Sequence, residues 1–144
     1  MTIKDLKERS NAFVANLDSI VAGIVNFNED LEELNRKQLR ESKLADGSNI
    51  TRPYKRRYAL WKSHYYPSSY GDGKVNLYLE GNLYKSLEIK AKGNEYFVTT
   101  DRPYGADLYD KFGNFLGIAP ENQPTAQQIT GEKLAAKYKE LVLK

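Results

Sequence analysis

Cysteine is absent from the 144 residues. That removes disulfide frameworks, zinc–thiolate and iron–sulfur sites, and a thiol nucleophile. A single histidine, His64, excludes a two-histidine metal site within one chain and leaves one candidate for a histidine relay. No apolar run approaches the roughly 18–20 residues that span a bilayer. The opening Met1-Thr2-Ile3-Lys4-Asp5 is charged early and has no signal-peptide core, so the expectation is a soluble intracellular protein with no membrane partner. Net charge is also small, with 22 Lys and Arg against 19 Asp and Glu leaving +3. What is present is a 40% apolar and 12% aromatic composition, enough to bury a core in a chain of one-domain length.

The charges are unevenly placed. Residues 1–46 hold nine acids and seven bases. Residues 47–71 hold no acid, yet contain Arg52, Lys55, Arg56, Arg57 and Lys62 together with Tyr54, Tyr58, Trp61, Tyr65, Tyr66 and Tyr70. Arg and Lys attract phosphate while Tyr and Trp stack on bases, so one reading is nucleic-acid contact. A second is a protein interface, where Tyr, Trp and Arg are the enriched anchors. A third is local, with the rings in the core and the bases solvated. A net charge of +3 weighs against a dedicated nucleic-acid binder.

Periodicity predicts one α+β domain. Phe13, Leu17, Ile20, Val21 and Ile24 fall on one helical stripe, extended backwards by Ile3 and Leu6. Gly23 weakens its end, and Asn26 with Glu29 three residues on suggests a capping box opening a second helix to about Leu39. These make an N-terminal helical hairpin over 1–45. Residues 46–74 form the basic-aromatic segment, with an Asp46-Gly47-Ser48-Asn49 turn, a short helix over about 54–63 and a loop over 66–73. A small antiparallel sheet follows, with strands at about 75–79, 84–91 and 95–100, the last two joined by a Gly93-Asn94 hairpin turn. Over 101–144 come helices. One is capped by Asp101 and ended by Gly113, and the last runs from Thr125 or Thr130 to Leu143. The expected core is Leu17, Ile20, Leu31, Leu77, Leu87, Ile89, Val98, Leu108, Leu134 and Tyr138.

Catalysis finds little support. His64 sits among five bases and no acid, and no serine lies in a Gly-x-Ser-x-Gly elbow. Glu29, Asp30, Glu32 and Glu33 cluster on a helix start, where a solvated face is the default. Asp101, Asp107 and Asp110 straddle a cap and a helix. Gly71-x-Gly73 lacks the following Lys-Ser/Thr of a phosphate loop. The expectation is a chain that is not an enzyme and holds no metal or cofactor.

From Gly81-Asn82-Leu83-Tyr84-Lys85-Ser86-Leu87 onward, the chain resembles the small tail-completion, neck and virion-morphogenesis proteins of tailed bacteriophages. Those carry a Gly-x-Leu/Phe-x-x-Ser-Ile/Leu step after a Lys/Arg/Tyr-rich segment and before a hairpin. Further matches are Tyr104-Gly105-Ala106 through Phe112-Gly113, the Phe115-Leu116-Gly117-Ile118 turn, and Pro120-Glu121-Asn122. Upstream, Leu34-Asn35-x-x-Gln38-Leu39, Ala45-Asp46-Gly47-Ser48 and the set Tyr54, Tyr58, Ala59 and Lys62 resemble the same group over about residues 27–140. Glu80 stands where the family usually has Thr.

The resemblance implies a non-enzymatic structural subunit of the virion, assembled in the host cytoplasm. It implies a ring of copies of itself, a hexamer or dodecamer, at the neck, head–tail junction or tail-completion site. Other neck, tail and portal proteins would be its partners, with genomic DNA in the channel as a further contact. On that view Arg52, Lys55, Arg56, Arg57, Tyr58, Trp61 and Lys62 are expected to face DNA or a partner. Tyr104, Tyr109, Phe112, Phe115, Leu116 and Ile118 are expected at a subunit interface. The alternative is a small nucleic-acid-binding module working through residues 52–70.

Overall fold

Thr2 starts the first helix. Its hydroxyl accepts the Asp5 N–H, and the Asp5 carboxylate accepts the Thr2 N–H in return. In the computed structural model, which describes residues 1–93 and 95–144, α1 (Ile3–Ala15) then stops short of the expected end. Asn16 has φ −104° and ψ 13°, and its side-chain amide donates to the Ala12 carbonyl at 2.9 Å. A short polar side chain that bonds the preceding turn competes with the helix ladder. The chain restarts as α2 (Leu17–Val25).

The cap of α3 (Glu29–Arg40) is Asn28, whose side-chain oxygen accepts the Leu31 N–H. The expected cap, Asn26, serves the sheet instead. Its Oδ1 accepts the Ala91 N–H at 2.7 Å, and the next N–H, of Phe27, donates to the Ile89 carbonyl at 2.8 Å. Phe27 takes a φ of 56° to make that turn.

After α3 come α4 (Arg56–Tyr65), the single turn α5 (Pro67–Tyr70) and α6 (Asn82–Ser86). The expected loop over 66–73 therefore contains a helical turn. Next are β1 (Glu88–Lys92) and β2 (Glu95–Thr99), antiparallel, with Ile89 opposite Val98 and Lys90 opposite Phe97. Of the expected hairpin turn, Asn94 lies outside the described residues. The chain closes with α7 (Gly105–Phe112) and α8 (Gln123–Leu141). The fold is mixed helix and sheet, with eight α-helices and a two-stranded antiparallel sheet among the described residues.

Both α2 and α3 pack on β1 and on α8. Leu39, Leu87, Ile89 and Phe115 are buried at the centre, with Leu31, Val75, Leu77, Leu83 and Val98 around them. Each such side chain contributes about 1.5–3 kcal/mol through removal from water. Two buried amides on α3 tie down the loop that follows α7. Asn35 donates to the Phe115 carbonyl and accepts the Gly117 N–H, at 2.8 and 2.9 Å. Gln38 donates to the Gly117 carbonyl and accepts the Ala119 N–H, at 2.9 and 2.8 Å.

Several expectations are corrected. Residues 75–79 are irregular and pair with no strand among the described residues, and side chains take two of their N–H groups. Leu77 N–H goes to the Tyr54 hydroxyl and Tyr78 N–H to the Asn76 side-chain oxygen. Leu77 also has a φ of 54°, which breaks strand geometry. The strand expected from residue 84 starts at Glu88, since Gly81, at φ 87°, turns the chain into α6. Asp101 does not cap α7, whose cap position is Tyr104 with no side-chain bond, and it pairs with Arg102 instead. The last helix starts earlier than expected, with Pro124 in its first turn. Of the expected core, Leu31, Leu77, Leu87, Ile89 and Val98 are buried; Leu17, Ile20, Leu108 and Leu134 are half-buried; Tyr138 is exposed, its ring edge-on to Phe13 at 5.2 Å.

Candidate functional site

The acid-free stretch becomes the irregular segment leading into α4, α4 itself and the turn α5. Helix electrostatics favour acids at a helix start. Here Lys55 is the cap residue with no side-chain cap bond, Arg56 and Arg57 fill the first turn, and no acid joins them. Arg52, Lys55, Arg56 and Arg57 are exposed, and none has a salt-bridge partner among the described residues. Three of them, Lys55, Arg56 and Arg57, sit at a positive helix end and destabilise it locally. An incoming anion, whether phosphate or carboxylate, would offset that.

Along the same helix and the residues flanking it runs a ladder of rings, set by the 54, 58, 61, 65 spacing of three and four. Tyr54 and Tyr58 have centroids 4.9 Å apart, Tyr58 and Trp61 5.8 Å, Trp61 and Tyr65 6.0 Å, and Trp61 and Tyr66 5.3 Å. The inner end is anchored by Tyr54 edge-on to Phe112 of α7 at 5.8 Å. The outer end is open, with Leu60, Trp61 and Tyr65 exposed, Tyr65 at 64%. His64 lies exposed with its ring edge-on to Tyr65, and no carboxylate pairs with it among the described residues.

Lys62 does not share this face. It points inward and is 0% exposed. Its Nζ donates to the Asn76 side-chain oxygen at 2.8 Å and to the Tyr54 hydroxyl at 3.4 Å, and sits 4.8 Å from the Tyr54 ring centroid. Burial pulls its amine down to about 8 and pushes the Tyr54 hydroxyl up to about 12. Position 62 lies one helical step from the exposed Trp61, so the expected grouping fails on helix geometry: adjacent residues lie about 100° apart.

A groove of about 580 Å³ lies beside the ladder, between the segment Arg52–Lys55, the turn Leu77–Leu83 and one side of α7. Tyr54, Tyr58, Tyr104 and Phe112 line it, with Arg52, Lys55 and Lys111 as its cations. The expected subunit-interface set divides. Tyr104 and Tyr109 are exposed, and Phe112 and Leu116 are half-buried. Phe115 and Ile118 are core residues, at 0% and 6% exposure, because the Asn35 and Gln38 bonds draw the loop inward.

The clustered acids are structural where they are buried. Glu32 accepts the Ile89 N–H at 2.9 Å and pairs with Arg36 at 3.6 Å. No group of three or more His, Asp or Glu side chains able to hold a metal occurs among the described residues. Sequence reasoning missed Asn76, which accepts from Lys62 and Tyr78 and donates to the Ser69 carbonyl. An isolated asparagine in an apparent strand gave no signal for that. Comparison of the chain with protein families, with curated proteins and with solved structures returned no match.

Proposed function

We propose that the chain is a non-enzymatic structural subunit of a tailed-bacteriophage virion, forming a ring of six or twelve copies at the neck or tail-completion site. The observation that carries this reading is two sets of exposed apolar side chains on different elements of the fold. One is Leu60, Trp61 and Tyr65 on α4. The other is Ile3 and Val14 on α1, with Leu141 and Leu143 at the end of α8. These two helices lie together through Phe13 and Tyr138 and through the Arg9 guanidinium on the Lys144 carbonyl. Two unlike contact regions are what a head-to-tail ring requires, and these two sets supply apolar side chains for them.

The resemblance motifs also support the reading, because two distant pieces of it meet. The Asn35-x-x-Gln38 pair holds the Phe115–Ile118 turn by side-chain bonds. In the ring, Arg52, Lys55, Arg56 and Arg57 face the DNA channel or a neighbouring virion protein. Light scattering and negative-stain microscopy of the purified chain, alone and with neighbouring virion proteins, test this. Closed rings support it; a particle that never exceeds a few chains, with or without those neighbours, contradicts it.

The unpaired cations and open ring ladder of α4 favour a second reading, a nucleic-acid-binding module. It predicts salt-sensitive DNA binding by the isolated chain, with a steep slope of log affinity on log salt.

A further inference from the structure

The two edges of the sheet are treated differently. On β1, the outward groups of Ile89 are both occupied, its N–H by Glu32 and its carbonyl by the Phe27 N–H, and the Ala91 N–H is taken by Asn26. That fixes the pattern across the hairpin. Ile89–Val98 and Ala91–Tyr96 are the non-hydrogen-bonded pairs, so the N–H and carbonyl groups of Tyr96 and Val98 point away from β1. No partner meets them among the described residues. The strand Glu95-Tyr96-Phe97-Val98-Thr99 has one charge, no proline and four residues of high strand propensity. Such an edge is a template for another strand.

We propose that in the free protein this edge pairs with the β2 edge of a second copy, antiparallel, about a two-fold axis at Phe97. The register follows from the pattern above. Tyr96 and Val98 of one copy exchange four main-chain hydrogen bonds with Val98 and Tyr96 of the other, and the two Phe97 residues face each other as a close non-hydrogen-bonded pair. Side-chain chemistry agrees with that register. Glu95 meets Thr99 across the junction, so no like charges are opposed, and Lys92 beside Glu95 balances it.

On the outer face Lys90 stands opposite Phe97, which is 45% exposed, and its ammonium is 5.3 Å from the centroid of Phe27, 58% exposed. Pairing extends this into one row: Phe27, Lys90, Phe97, then the same three reversed. The result is a four-stranded sheet whose outermost edges are both the capped β1 edge, so growth stops at two copies. A polar ring contains no such two-fold axis. The pair is therefore a form of the unassembled protein, and it stands whether or not the virion reading does.

The absence of cysteine makes the test direct. Phe97→Cys places two thiols about 4.5 Å apart at Cα, within disulfide range, so mild oxidation of the folded chain gives a covalent two-chain species. Lys90→Cys, at the far ends of the row, gives none. In sedimentation at low concentration the wild type has twice the 16.5 kDa chain mass, and Phe97→Lys, which opposes two ammonium groups, has the single-chain mass. A wild type that stays single-chain, a Phe97→Lys pair that persists, or equal cross-linking at both cysteine positions overturns the proposal. Should Phe97→Lys not fold, the cysteine pair alone decides.

Discussion

The Lys62 ammonium donates to the Asn76 side-chain oxygen at 2.8 Å, at a buried position where no carboxylate among the described residues pairs with it. A buried cation held only by neutral groups opposes folding in its charged form. Its folded value, near 8, lies below its ordinary 10.5. Between those values the unfolded chain binds the extra proton, so stability rises with pH. Above about pH 10 the sign reverses, because Tyr54 keeps its proton to about 12 when folded and releases it near 10 when unfolded. Melting temperature therefore climbs from about pH 8 towards 10 and then falls. Lys62→Met removes the climb and is neutral or stabilising at pH 7, since Asn76 keeps its bond to the Tyr78 N–H. A climb of unchanged size in Lys62→Met contradicts this.

Asn35→Ala breaks the bonds to Phe115 and Gly117 and leaves a carbonyl and an N–H without partners. It costs on the order of 2 kcal/mol in urea unfolding and speeds amide exchange at Gly117. Gln38→Ala does the same at Ala119. Unchanged exchange at both amides contradicts the clamp.

Phe115→Ala costs about 3–5 kcal/mol, as for a large ring removed from a packed core. Tyr109→Ala, exposed on α7, stays within about 0.5 kcal/mol. Equal losses at the two sites contradict the division of the interface set into core and surface.

Reversing Arg56 and Arg57 to Glu puts acids into the first turn of α4, which suits the helix dipole. Thermal stability of the isolated chain is expected to hold or rise slightly. In the particle the same change is expected to impair genome retention or passage while ring assembly continues. Normal infectivity with both changes rejects the channel assignment.

Periodicity located most helices and the β1–β2 hairpin because an alternating or three-four apolar pattern reports a single half-buried face. It failed where side chains replaced the backbone as hydrogen-bond partners. Val75-Asn76-Leu77 alternates like a strand, but Tyr54 and Asn76 take the N–H groups that a neighbouring strand would have filled. Asn26 and Asn28 both suit a helix cap, and the choice between them was made by β1, a contact more than 60 residues away. The aromatic-basic surface was visible as composition. The inward turn of Lys62 was not, since a lysine beside Trp61 on a basic segment reads as exposed until Asn76 is in place.

Electron microscopy of the purified virus particle, with this subunit carrying a label, tests the central claim most directly. The account predicts label confined to one ring where head meets tail, or at the head-proximal end of the tail. Label absent from every particle, with the chain found free and unassociated in the infected cell, would contradict it.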